Sequence, residues 1–400
     1  MNLGKNLLNN KWLSGAIPGL FLHVSIGSVY CWSLFKTEIA EKIGYSIPTI
    51  EWAFSLAIFF LGMSAAFGGN IVEKNVKVSA LISTLCYTLG MIGTGVSIIC
   101  QSLIGLYLSY GVIMGIGLGI GYLTPVKTLM MWFKDNKGLA TGIAITGFGL
   151  AKVIASPAIE YLLSVTTIEK MFFVLGGVYF LLMLIGTLLI KKPETTASHK
   201  GDKFNLKKSL EIIFNPVYIS IWLFFFINIT CGLALISNEK SIVNWTNCGI
   251  SIGLISAITA FFNAFGRFGY STFSDKLKRR SIVYEVIFIT SVFSTLLVYL
   301  SGALAPTFIP GLVLIALIFV NLGYGGGFST LPSLLADRFG MKNVSVIHGF
   351  CLSAWAWAGL AGNNMGYYII TKTNHETLFC MLGLYYLVAL IIAIRIRNAK

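Results

Sequence analysis

A chain of 400 residues that is 56% hydrophobic and only 11% charged, with a mean hydropathy of +0.81, holds less than half the charge of an ordinary soluble domain. That excludes a water-soluble globular protein and points to a multi-pass protein of the lipid bilayer. The formal charge of +14, from 29 Lys/Arg against 15 Asp/Glu, would suggest nucleic acid in a soluble chain. Here it fits the cationic bias of cytoplasmic loops instead, so no nucleic-acid partner is expected.

The stretch MNLGKNLLNNKW runs straight into a full-length apolar segment and reads as a short cytoplasmic lead, not a cleaved signal peptide. A spanning helix needs about 20 apolar residues. Twelve such segments follow, at 12–35, 50–72, 78–99, 102–126, 138–164, 168–190, 216–237, 249–273, 281–303, 308–332, 344–370 and 376–396. Most connections are short. The exception, 191–214, carries six lysines, a histidine and three acids. It divides the chain into a six-helix bundle over 1–190, a cytoplasmic linker over 191–214 and a second six-helix bundle over 215–400. The expected fold is all-α, with twelve transmembrane helices in two pseudo-symmetric halves.

Loop charges give the orientation. With the N-terminus inside, the inside segments hold 21 Lys/Arg and the outside loops five, namely Lys36, Lys42, Lys170, Lys240 and Lys372. Both termini are therefore expected in the cytoplasm of a cell-membrane protein. The remaining cations, Lys127, Lys152 and Arg267, fall within helices.

The seven cysteines are scattered in or beside apolar segments, with no spacing that suits a metal or a disulfide framework. They read as small buried residues, and no metal or cofactor is expected. The halves echo each other. GGNIVEKNVKV (68–78) follows the second segment and STFSDKLKRRSI (271–282) the eighth, placing Glu73 and Asp275 at matching turns. WFKDNKGLATG (132–142) and DRFGMKNVSVIHG (337–349) match in the same way. Six-helix repeats of this kind are a transporter signature. Glycines 111, 115, 117, 119 and 121 form small-xxx-small patterns in the fourth segment, which permit close helix packing and also sliding.

Arg267 sits inside the eighth apolar segment, with no acid nearer in sequence than Asp275, eight residues on. A guanidinium stays charged in proteins. At the bilayer centre it costs about 2.5–3.5 kcal/mol even on the mildest scale, so it faces a cavity or a partner.

These features resemble the major facilitator superfamily, and in detail its oxalate/formate antiporter branch. The resemblance is carried by GSVYCWSLFKTEI (27–39), WFKDNKGLATG, GRFGYSTFSDKLKRR (266–280) and LPSLLADRFG (331–340), and covers nearly the whole chain. The superfamily's loop after the second helix of each half reads like Gly-x-x-x-Asp-Arg-x-Gly-Arg. The second copy here keeps Asp275, Lys276 and Arg279, with Ser271 and Lys278 at the glycine positions. The first keeps Gly69, has Glu73 and Lys74 for Asp-Arg, and has Val76 for the later glycine. The resemblance implies that Glu73, Lys74, Asp275, Lys276 and Arg279 form a conformational latch. It also implies an aromatic-lined cavity closed by two cations. Arg267 falls on one cation position, and Tyr30, Tyr122, Phe148, Tyr324 and Phe328 fall on aromatic positions. The second cation position holds Trp355 instead of lysine, so a substrate with two carboxylates loses one expected partner.

Lys152, about 21 Å into its helix, is a candidate for the missing cation. The alternative is a structural or outward-facing lysine. Lys127, about one and a half turns inside the end of the fourth helix, is a second candidate, or it snorkels to the interface. Trp32 is a further aromatic of unknown facing. The central charges read as all positive, which favours anions and argues against coupling through carboxylates. His23 and His348 read as packing residues or proton carriers.

The expected function is secondary transport of a small organic anion, a mono- or small dicarboxylate, by alternating access in antiport or with a proton. The carrier is expected to act as a monomer. Two other readings stay open: a carrier of a different metabolite or drug, and a non-transporting membrane sensor. No Ser/His/Asp set, metal spacing or phosphate loop suggests an enzyme.

Overall fold

The computed structural model describes residues 10–193, 206–247, 249–341 and 344–398. The middle of the predicted linker, 194–205, the first nine residues, Cys248 and Lys342 lie outside the described residues. Twelve described helices are long and apolar enough to cross a membrane. They are α1 (Trp12–Trp32), α2 (Ile47–Lys74), α3 (Val76–Ile99), α4 (Leu103–Trp132), α5 (Lys137–Val165) and α6 (Ile168–Leu189). After the linker come α7 (Pro216–Thr246), α8 (Ile252–Ser274), α9 (Ser281–Gly302), α10 (Pro306–Phe339), α11 (Val344–Lys372) and α12 (His375–Arg397).

Local chemistry starts several of these helices cleanly. Pro216 opens α7, where its missing N–H costs nothing. Asn215 caps that helix by accepting from the Val217 amide at 2.8 Å. A single residue, Asn75, turns α2 into α3 and accepts from the Lys77 and Val78 amides at 3.0 and 3.3 Å. Helices α4, α7 and α10 run about two turns beyond the apolar cores predicted from sequence. Their extra turns carry Lys127, Glu239 and Asp337, polar residues that find partners within the protein instead of ending the helix.

The described residues hold an even number of spans, which places the start of α1 and the end of α12 on one face. The start of α1 meets the end of α6 there, where the Lys191 amide donates to the Ser14 carbonyl at 3.0 Å. Arg338, at the end of α10, donates to the Ile396 carbonyl of α12 at 2.8 Å. This is the terminal face.

Helix pairing repeats with a period of six. α1 packs on α5, α2 on α4 and α3 on α6, while α7 packs on α11, α8 on α10 and α9 on α12. The two halves meet along two equivalent seams, α2 with α11 and α8 with α5. Glycine permits the approach at the terminal end of each. A Cβ on Gly69 of α2 would come within 2.5 Å of the Ser345 carbonyl of α11, and one on Gly138 of α5 would strike the Ser271 carbonyl of α8.

Helix α8 shows how the interior is selected. Phe261, Phe265, Phe268 and Phe273 are exposed on the lipid side. Ser256, Thr259, Asn263, Arg267, Ser271 and Ser274 follow one another at three- and four-residue steps. Such steps keep residues on one helical face. The stripe turns inward, with Thr259, Arg267, Ser271 and Ser274 buried. It is a polar seam in an apolar helix.

Candidate functional site

The stripe on α8 lines the wall of a cavity of about 110 Å³ between the halves. Arg267, Asn263, Thr259 and Ser256 form one side, with Tyr324 and Asn321 of α10 next to them. Gly149 and Lys152 of α5 and Tyr30 of α1 face them from the first half, and Glu239 of α7 completes the polar lining. Tyr30 lies where α1 tightens into a 3₁₀ turn over Ser28–Leu34. These lining residues lie on the side of Arg267 away from the terminal face.

Arg267 is 1% exposed and no carboxylate pairs with it among the described residues. Its Nε donates to Asn263 Oδ1 at 3.0 Å, and Nη1 to the Ile145 carbonyl of α5 at 3.5 Å. Two of the five guanidinium donors are so occupied. The charge lies 5.7 Å from the Phe148 ring centre and 5.5 Å from that of Phe328, one ring from each half. Both contacts fall within cation–π range.

The aromatic residues selected from sequence do meet. Phe148 contacts Tyr30 (5.4 Å between centroids), Tyr122 (5.5 Å) and Trp355 (6.0 Å). Trp355 contacts Phe328 (4.5 Å), which contacts Tyr324 (5.1 Å). Tyr30 and Tyr324 reach the cavity wall, whereas Tyr122, Phe148, Phe328 and Trp355 pack beneath Arg267 as a floor. The hydroxyls of Tyr30, Tyr122 and Tyr324 and the Trp355 indole N–H are buried with no partner in hydrogen-bonding geometry among the described residues. Trp32 sits elsewhere, packed on Tyr110 (4.6 Å), Phe35 and Phe54 in the first half.

The two candidate lysines separate. Lys152 lines the cavity, half-buried, and makes no hydrogen bond or ion pair among the described residues. Lys127 is 6% exposed and lies apart from the cavity. Its ammonium is 3.0 Å from Glu73 and 2.7 Å from the Met341 carbonyl of the other half. The burial of Lys127 reflects this junction and not a place beside Arg267.

The junction at the terminal face has two equivalent parts. Glu73 Oε1 accepts from the Ser345 amide at 2.8 Å, in the first turn of α11. Asp275 accepts from the Gly138 and Leu139 amides at 2.9 Å each, in the first turn of α5. Both carboxylates thus meet the unpaired donors and positive end of a helix in the other half. Arg280 braces the second part, reaching Asp275 at 2.7 Å and Asp337 at 2.5 Å. Lys137 also meets Asp337, at 2.8 Å, and Thr141 Oγ1 lies 3.1 Å from Ser333 Oγ across the seam. Lys192 donates to the Glu73 carbonyl at 2.9 Å. Burial pushes its ammonium below the ordinary lysine value, partly offset by the Glu73 charge. Of the cations expected in the latch, Lys74 and Lys276 are exposed, and Arg279 donates to the Arg397 carbonyl instead. Arg280, Lys127 and Lys192 occupy the positions expected for them.

The expectation that all central charges are positive is corrected by Glu239. It lines the cavity, and its two oxygens accept from Ser256 Oγ and Thr259 Oγ1 at 2.7 Å each. His23 ties α1 to its neighbours, with Nδ1 against the Ala144 carbonyl and Nε2 3.0 Å from that of Tyr122. His348 is buried, and its ring lies 6.2 Å from that of Tyr122. Among the described residues no three His, Cys, Asp or Glu side chains gather as a metal site requires.

Known proteins share this architecture. An outward-facing bacterial homologue of the iron transporter ferroportin superposes with a TM-score of 0.71 at 12% identity, covering 96% of this chain and 98% of that one. The oxalate:formate antiporter of Oxalobacter formigenes is 26% identical over 396 residues, 97% of this chain and 91% of its own. The MFS-type transporter YhjX of Escherichia coli (strain K12), itself uncharacterized, is 27% identical over 354 residues, 86% of this chain and 84% of its own. The pattern of the Major Facilitator Superfamily matches residues 19–363, most of the chain. With twelve spanning helices, paired halves and a cavity between them, this protein belongs to the Major Facilitator Superfamily.

Proposed function

We propose that this transporter carries a small organic anion, a mono- or small dicarboxylate, with Arg267 as the group that holds a carboxylate. The observation that carries the reading is a buried guanidinium with no acidic partner among the described residues, on the wall of a cavity that also contains Lys152. A planar fork of donors matches a carboxylate, and desolvation strengthens that pairing. At about 110 Å³ the cavity is smaller than the roughly 300–1,000 Å³ of drug-sized sites, which favours a substrate of few atoms. The similarity to an oxalate:formate antiporter points the same way.

In this reading Lys152 takes the place of the cation absent at Trp355. Tyr30 and Tyr324 offer hydroxyls to the anion, and Tyr122, Phe148, Phe328 and Trp355 shape the floor. Glu73 and Asp275, with Lys127 and Arg280, latch the terminal face. The termini lie in the cytoplasm of the cell membrane, so the latch closes the inner side and the cavity belongs to the outer half. The halves, divided near 191–214, rock about the site, and a single chain suffices for transport. The test is uptake of labelled carboxylates into proteoliposomes. Arg267→Gln is expected to insert normally and lose uptake, and unchanged uptake would overturn the assignment.

A further inference from the structure

Glu239 is out of place in an anion site. It lines the same cavity as Arg267 and Lys152, and a bound carboxylate entering there meets a second negative charge. Helix α7 would have no need of an acid at this depth if the site served only to attract anions, because an uncompensated carboxylate opposes them. Its setting is built. Ser256 and Thr259, on the inward stripe of α8, each donate to one of its oxygens at 2.7 Å.

The hydroxyl pair can serve both forms of the acid. A hydroxyl donates one hydrogen and accepts on its lone pairs. Thr259 Oγ1 also lies 3.1 Å from the Ser256 carbonyl. When Glu239 is ionised, the Thr259 hydrogen points to the carboxylate. When Glu239 is protonated, that hydrogen turns to the Ser256 carbonyl, and the Thr259 oxygen accepts the acid proton. The switch requires no backbone movement.

The other charged and titratable groups around Glu239 are few. Arg267 comes from α8, Lys152 from α5, and the phenols Tyr30 and Tyr324 from α1 and α10. Lys240, next in sequence, is exposed. On the neighbouring flank His375 of α12 meets Ser241 at 3.1 Å, with Glu376 beside it, and α11 offers Lys372, exposed at its end. No cation lies within ion-pair distance of Glu239 among the described residues.

We propose, resting on the carboxylate reading above, that Glu239 sets the charge the carrier accepts: a monocarboxylate with Glu239 ionised, or a dicarboxylate together with a proton on Glu239. Arg267 and Lys152 against an ionised Glu239 leave one net positive charge, which one carboxylate neutralises. Protonation leaves two, which a dicarboxylate neutralises. The proton comes from water on the cavity side, bonds to a Glu239 oxygen and travels with the dicarboxylate. Both loaded states then present the same near-neutral core to the closing halves, and neither the empty site nor the mismatched pairs do.

The test uses purified full-length protein with formate and oxalate between about pH 6 and pH 8, where both anions are ionised. In weakly buffered solution with a pH-indicator dye, wild-type protein is expected to take up one proton per oxalate bound and none per formate. In proteoliposomes the ratio of oxalate to formate uptake is expected to rise about tenfold per unit of acidification, the slope that linkage gives when one proton binds with each oxalate and none with formate. In Glu239→Gln that ratio is expected to be high and independent of pH. Oxalate binding without proton uptake by the wild type, a flat wild-type ratio, or an unaltered slope in Glu239→Gln would each overturn the proposal. Wild-type protein that binds neither formate nor oxalate nor any carboxylate competing with them overturns the parent reading instead.

Discussion

Glu73 and Asp275 make the same contact in opposite directions: each ends the second helix of its half and caps the fifth helix of the other half through backbone amides. A carboxylate at a helix N-terminus gains from the exposed N–H groups and from the helix dipole. Hydrogen bonds to a charged group contribute about 1.5–3 kcal/mol. Asp275→Asn and Glu73→Gln are therefore each expected to weaken closure of the terminal face by about 2 kcal/mol. In a cysteine-free background, Ser333→Cys, buried beside Thr141, reports this as faster maleimide labelling. Lys74→Gln and Lys276→Gln, at exposed positions, are expected to leave the labelling rate as it was.

The seam glycines are expected to act in the same direction as Glu73 and Asp275. Alanine at Gly69 or Gly138 would press a Cβ on backbone carbonyls, which cannot rotate aside. Overpacking of this kind costs about 1–3 kcal/mol. Both variants are expected to raise Ser333→Cys labelling and to lower thermal stability measured with the terminal face closed.

At the site, Arg267→Lys keeps the charge but loses the planar fork, and one ammonium cannot both reach Asn263 and stack between Phe148 and Phe328. Its expected result is a rise in KM of about tenfold or more with insertion unchanged, consistent with the loss of about 1.4 kcal/mol or more of carboxylate binding. Saturation curves in proteoliposomes give this directly.

Lys152 and Lys127 are distinguished by what their loss changes. Lys152→Met removes a cavity cation and is expected to weaken anion binding, dicarboxylates more than monocarboxylates, with labelling at the terminal face unaltered. Lys127→Met leaves Glu73 buried without its cation and is expected to raise that labelling. Equilibrium binding on detergent-solubilised protein separates the two outcomes.

Much of this was legible in the sequence because the signals were coarse and physical. Apolar length fixed the spans, and an arginine in an apolar segment marked a cavity. The aromatic set followed from the resemblance, and the rings of Tyr122, Phe148, Phe328 and Trp355 do converge beneath Arg267. Glu239 was hidden by where apolar counting stops. Hydropathy ends the seventh segment at 237, which puts the acid in an outer loop, yet α7 continues to Thr246. The available signal was the spacing of Ser256, Thr259 and Asn263 on the same face as Arg267, a stripe of hydroxyl and amide groups that implies a polar partner opposite. Lys127 misled for the complementary reason. Depth along a helix follows from sequence, but facing does not, and it faces Glu73 and the Met341 carbonyl. Arg280 was one of four cations in one loop, and only the positions of Asp275 and Asp337 single it out.

The α5–α8 seam joins the terminal face to the cavity. At one end Gly138 lies against Ser271, beside the amides that hold Asp275; about 16 Å along the helix, Gly149 lies against the side chain of Arg267. The packing that admits the arginine and the packing that closes the terminal face therefore share one interface, α5 against α8. Thermodynamic linkage then makes the coupling reciprocal. Whatever factor a bound anion applies to opening at Ser333, a weakened Asp275 contact must apply to anion affinity measured in the cavity. Under the proposed function, the closed terminal face thus acts as a part of the anion site.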